Sequence, residues 1–102
     1  LIDSKTIASK VTYTLYADES IGLCKLILHM DSCSIASGQE NYENVGWIPS
    51  KYRPQNNLFS SIVRSPQLLW YVWTNGTMGV SNFNNSTLNN QIGDAMIVYS
   101  YR

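Results

Sequence analysis

LLWYVWTNGTMGVSNF, residues Leu68 to Phe83, decides the fold. Leu68–Trp73 is apolar and aromatic, the composition of a β-strand. Asn75-Gly76 follows, a dipeptide that tolerates positive φ at both positions and so predicts a type I′ hairpin turn. Thr77–Phe83 runs back with small and polar residues opposite the aromatic strand. Strand alternation places Leu68, Trp70 and Val72 on one face and Leu69, Tyr71 and Trp73 on the other. One of these sets must pack the core.

The flanking segments are also strands. In Lys10–Tyr16, Val11, Tyr13 and Leu15 share one face, and Thr12, Thr14 and Tyr16 share the other. Ala17–Ser20 is a turn. In the next strand, Ile21–His29, the more apolar set of Cys24, Leu26, Leu28 and Met30 is expected inward, leaving Lys25 and His29 outward. Asp31–Gly46 is rich in turn formers and predicts a long loop, within which Ser34-Ile35-Ala36 has the composition of a short strand. Trp47–Pro54 carries two prolines, which exclude a helix interior or a central strand. It predicts an extended segment crossing from one sheet to another. Leu58–Arg64 and Ala95–Tyr101 are further strands, and Asn84–Asp94 predicts a polar loop. No stretch keeps a helical stripe between caps. The expectation is an all-β small antiparallel barrel or sandwich of about seven strands. Residues 1–9 are expected to be a linker continuing from a missing N-terminal part, and residues 10–102 one domain. A final strand running to Arg102 suggests a true C-terminus.

Composition narrows the chemistry. The 102 residues carry 7 basic and 7 acidic side chains, a net charge of zero, so the basic field that a nucleic acid or an anionic membrane selects is absent. No apolar run approaches the roughly 20 residues of a membrane helix. The two cysteines, Cys24 and Cys33, read as a buried thiol and an ordinary one; a chain reversal at Met30-Asp31-Ser32 would let them bridge. With one histidine they do not make a zinc site, and no metal or cofactor is expected. A hydrolase would have to use His29 with a cysteine or serine, or a carboxylate pair such as Glu43 and Asp94. No nucleophile elbow accompanies them, and most of the acids fall in turns, where they are expected anyway. The chain is therefore expected not to be an enzyme. Asn75-Gly76-Thr77 and Asn85-Ser86-Thr87 match the N-glycosylation pattern, which arises readily in a chain rich in Asn, Ser and Thr.

The aromatic–amide combination is more informative. If the hairpin closes and its end meets the last loop, Trp70, Tyr71, Trp73 and Phe83 lie near Asn82, Asn84, Asn85 and Asp94. Saccharides are held this way: an aromatic face covers the C–H side of a pyranose while amides and carboxylates bind its hydroxyls. The expected site is Trp70 stacking on a sugar, with Asn82, Asn84 and Asp94 as hydrogen-bonding partners. Tyr71 and Trp73 are expected in the core or in an interface.

The order Trp47-Ile48-Pro49-x-x-Tyr52-Arg53-Pro54, a strand, an aromatic strand, Asn75-Gly76, a return strand and a last strand with Tyr99 and Tyr101 resembles one family. It is similar to the C-terminal head domain of receptor-binding proteins on the tail tips of phages infecting lactococci and related Gram-positive bacteria. The likeness covers roughly Trp47–Arg102, and the first half agrees only in strand pattern. The resemblance implies an antiparallel β-barrel head that forms a homotrimer, sits on the virion outside the cell and joins the baseplate through an N-terminal part. It also implies non-covalent binding of host cell-wall saccharides, with help from a neighbouring subunit. The family's His and Asp before the hairpin fall on Trp70 and Val72 here. Its Trp falls near Ser81, Asn82 or Phe83, and its last-loop Arg has no counterpart beside Gln91 and Asp94. The resemblance thus implies a pocket rebuilt around other groups, or one placed elsewhere. Two rival functions are a structural β-domain that trimerises a fibre without touching glycan, and a small secreted hydrolase.

Overall fold

In the computed structural model, residues 3–7, 11–43 and 48–101 are described, and eight β-strands form two four-stranded sheets. The strands are β1 (Asp3–Ile7), β2 (Val11–Asp18), β3 (Leu23–Ile35), β4 (Gly38–Glu43), β5 (Leu58–Ile62), β6 (Ser65–Val72), β7 (Met78–Asn82) and β8 (Leu88–Ser100). The first sheet has the order β1-β2-β3-β8 and the second β4-β7-β6-β5. All strand pairs within the sheets are antiparallel.

Alternation explains the packing. Val11, Tyr13 and Leu15 on β2, Cys24, Leu26, Leu28 and Met30 on β3, and Ala95, Ile97 and Tyr99 on β8 are buried. They meet Ile62, Leu68, Trp70, Val72, Met78 and Val80 from the second sheet. Trp70 stacks on Tyr13 across the two layers, with centroids 6.1 Å apart and planes at 23°. Lys25 and His29 point outward, as the pattern of β3 requires.

The layers join along one side. Val63 N–H donates to Asp94 O at 2.9 Å, and Asp94 N–H donates back at 3.4 Å. This pair is an isolated bridge, so among the described residues the sheets touch at an edge without closing into a barrel. Gly93 allows the approach: a Cβ there would sit 2.4 Å from Val63 O and 2.5 Å from Ile62 Cγ2.

Several expectations change. Asp3–Ile7, expected in a linker, pairs with β2 as an edge strand. The loop expected from Asp31 is shorter, because β3 runs on to Ile35 across register shifts, with Ser32 at φ 51°, and β4 begins at Gly38. The loop expected at Asn84–Asp94 ends at Leu88, where β8 begins. Ile48–Pro54 contains a 3-10 turn at Ser50–Tyr52 and links β4 to β5, the two edges of one sheet, so it does not cross between sheets. It leans on the other layer: Tyr99 Oη donates to Tyr52 O at 2.6 Å, and Glu19 accepts from Lys51 Nζ at 2.7 Å and Tyr52 Oη at 2.5 Å. Trp47, the first residue of that expected segment, lies outside the described residues. Cys24 and Cys33 are buried free thiols.

The β6–β7 hairpin forms where the sequence placed it, pairing Leu68 with Asn82 through Val72 with Met78. Its turn differs. Gly76 N–H donates to Trp73 O at 3.0 Å and Trp73 N–H to Thr77 O at 2.8 Å. Only Gly76 of the Asn-Gly pair takes positive φ, at 90°. This is the three-residue loop of a type I turn closed by a glycine bulge, in place of the two-residue type I′ turn.

Candidate functional site

The four expected site residues do not converge. Trp70 is 0% exposed and offers no face to a ligand, which corrects its assignment as the stacking residue. It shares a face with Leu68 and Val72, and β6 turns that face toward the first sheet. Aromatics stand on both faces of β6, so alternation separates the two sets without saying which is inside. Asn82 is also buried, at 2% exposed. Its amide donates to Ile35 O at 2.9 Å and Ser86 O at 3.1 Å, while its oxygen accepts from Asn84 N–H at 2.9 Å. It fastens the β7–β8 connection and has no free group for a ligand hydroxyl.

Asn84 is half-buried in that connection. Its amide donates to Gln67 Oε1 at 2.9 Å, and its carbonyl accepts from Ser37 Oγ at 2.6 Å. The neighbouring Phe83 is 72% exposed. Asp94 is exposed but lies six residues along β8 from Leu88, about 20 Å at roughly 3.3 Å per residue. Its carboxylate is paired with His29, Nδ1 to Oδ1 2.6 Å, as cross-strand partners on the open face of β3 and β8. Among the described residues no group of three His, Cys, Asp or Glu side chains could hold a metal ion. In the expected Glu43–Asp94 pair, the Glu43 side chain lies outside the described residues.

The accessible aromatic surface lies at the other end of the second sheet, where the hairpin turns. Phe59 on β5 stands opposite Tyr71 on β6. Tyr71 is buried on the face of β6 away from the core, and Trp73 stacks on it, with centroids 4.6 Å apart and planes at 29°. Phe59 meets Trp73 edge to face at 5.5 Å and 79°, and is 55% exposed. Trp73 is half-exposed. The two rings form a corner resting on a buried tyrosine.

Amides flank this corner. Asn57 Oδ1 accepts from Thr74 N–H at 3.1 Å, and Asn75 Oδ1 accepts from Thr77 N–H at 3.0 Å. Each exposed amide is therefore held by its oxygen and presents its two N–H donors outward. A half-exposed indole, an exposed phenyl and two oriented amides match the needs of a pyranose: apolar cover for its C–H face and donors for its hydroxyls. Trp73 and Asn75 stand in the stretch quoted at the outset. Asn57 and Phe59 were missed as ligand-facing groups. The signal was the outward parity of Phe59 and Ser61 against Leu58 and Ile62 on β5.

Burial dominates the electrostatics elsewhere. It pushes the Cys24 thiol up, with a smaller opposing hydrogen bond to Tyr99. It pushes the Tyr99 phenol well above its usual range, reinforced by charge repulsion from Cys24. Neither group reaches the aromatic corner. No protein-family model matches the chain, and no curated protein matches it.

Proposed function

We propose that this domain is a non-enzymatic saccharide-binding module, the receptor-binding head of a phage tail tip. In this reading it engages the cell-wall polysaccharide of a Gram-positive host and is displayed outside the cell on the virion as a homotrimer. The observation that carries the proposal is the Phe59–Trp73 corner, seated on Tyr71 and bordered by Asn57 and Asn75. The resemblance supplies the phage setting. Its departures also fit: Trp70 and Val72, at the family's His and Asp positions, are core residues here, so a working site has to lie elsewhere.

The neutral charge suits an uncharged glycan, and an open corner suits weak binding at each site, compensated by display of many copies. The test is calorimetric titration of host-wall polysaccharide into the wild type and into Trp73→Ala. The proposal expects measurable binding that Trp73→Ala abolishes with little loss of stability. Equal binding by both proteins removes the corner from the site.

A further inference from the structure

The aromatic corner continues along the second sheet. Leu68, Trp70 and Val72 fill the core, so strand alternation sets Gln67, Leu69 and Tyr71 on the outer face of β6. Cross-strand pairing sets Phe59 beside Tyr71 and Ser61 beside Leu69. Tyr71 is buried, whereas Phe59, Ser61 and Gln67 are exposed and Leu69 is half-buried. These side chains form an open track on β5 and β6 that leads away from the Phe59–Trp73 corner.

The far end of the track carries a second exposed ring. Leu68 and Asn82 form the last pair of the hairpin ladder, and Gln67 and Phe83 are the residues just beyond it. The Asn84 amide donates to Gln67 Oε1 at 2.9 Å and ties the segment after Phe83 to β6. Phe83 itself is 72% exposed. Gln67 is held by its oxygen and turns its two N–H donors outward, as Asn57 and Asn75 do at the corner. From Gln67 to Trp73 the extended chain runs about 20 Å, at roughly 3.3 Å per residue. None of Phe59, Ser61, Gln67, Leu69, Trp73 and Phe83 carries a charge.

We propose that this track extends the saccharide site, so that the domain binds several linked sugars of a neutral polysaccharide laid lengthwise along β5 and β6, rather than one sugar. The first sugar rests in the Phe59–Trp73 corner. Its neighbours pass over Leu69, with Ser61 and Gln67 in reach of their hydroxyls, and a further sugar meets Phe83. An apolar ring at each end, with hydroxyl and amide groups between, matches a polymer whose units each repeat an apolar face and several hydroxyls. Weak contacts along one chain reinforce each other, because a bound sugar holds the next one close to its own subsite. The inference rests on the saccharide reading of the corner.

The test is calorimetric titration with disaccharides and with hexasaccharides released from a neutral Gram-positive cell-wall polysaccharide. The proteins are the wild type, Trp73→Ala, Phe83→Ala and Ser61→Arg, with circular dichroism as a folding control. Phe83 and Ser61 are exposed, so neither change disturbs the core. The wild type is expected to bind the hexasaccharide at least about tenfold more tightly than the disaccharide. Phe83→Ala removes the far ring and Ser61→Arg blocks the middle of the track. Each is expected to cut hexasaccharide affinity by about threefold to tenfold. Trp73→Ala is expected to weaken both fragments. Equal affinity for the two lengths, or a gain with length that Phe83→Ala and Ser61→Arg leave intact, would overturn the track. In that case disaccharide binding that Trp73→Ala abolishes would still uphold the corner. Binding of neither fragment would overturn the saccharide reading and the track together.

Discussion

Replacing Asn82 with alanine should unlock one end of the sandwich. Asn82 is 2% exposed and makes three hydrogen bonds, to Ile35 O, Ser86 O and Asn84 N–H. Each such bond contributes a net of about 0.5–1.5 kcal/mol, and partners left buried without replacement cost more. Asn84 N–H and Ser86 O lie near the surface and can turn to water, whereas Ile35 belongs to the buried end of β3. Together these give a loss of roughly 2–4 kcal/mol, a large fraction of the 5–15 kcal/mol typical of a domain. At about 4–8 °C per kcal/mol, the melting temperature should fall by roughly 10–25 °C. Urea titration followed by tryptophan fluorescence measures the free energy directly. Asn82→Asp should be no better, since a carboxylate would face two carbonyl oxygens in a buried site. A loss below about 1 kcal/mol for Asn82→Ala would refute the assignment of Asn82 as the latch of the β7–β8 connection.

Three further outcomes follow from the packing. Trp70→Ala should cost about 3–5 kcal/mol in denaturant titration, because it empties the centre of the core, whereas an exposed ligand-binding tryptophan would cost little. Gly93→Ala should cost at least about 1–3 kcal/mol, since its methyl would overlap the Val63 carbonyl at the Val63–Asp94 bridge between the layers; a neutral effect in a thermal melt would show that the bridge yields freely. Stability should be flat with respect to Cys24 and Tyr99 below pH 9.0 and fall above it. Both groups have raised folded-state values, so the unfolded chain ionises first, from its ordinary 9.0 and 10.0, and gains relative to the folded one as pH rises. Urea midpoints from about pH 7 to about pH 11 read this fall, and Tyr99→Phe should blunt its upper part.

The strands were legible because their chemistry is local. Alternation on β2 and β3 set the faces of Val11, Tyr13, Leu15, Cys24, Leu26 and Leu28, and Asn75-Gly76 located the hairpin even though its turn took another form. Asp3–Ile7 was not legible, because an edge strand of mixed polarity gains its order from pairing with β2 and carries little pattern of its own. The start of β8 hid in Leu88-Asn89-Asn90-Gln91 for the same reason. The stacking residue was misplaced by one ambiguity. Trp70 and Trp73 stand on opposite faces of one aromatic strand, and only the partner layer decides which face is inside. Tyr13, far away in sequence, makes that choice by stacking on Trp70. Asn82 looked like a ligand-binding amide because its exposure depends on a loop that folds back over it.

The most direct test of the hairpin-tip site is nuclear magnetic resonance of the isotope-labelled domain, following the indole and side-chain amide N–H signals as host-wall polysaccharide is added. The account expects the Trp73 indole and the Asn57 and Asn75 amides to shift together along one binding curve, while Trp70 and Asn82 stay in place. Shifts confined to Trp70, Asn82, Asn84 or Asp94, or no shift at the hairpin tip at saturating polysaccharide, would contradict it.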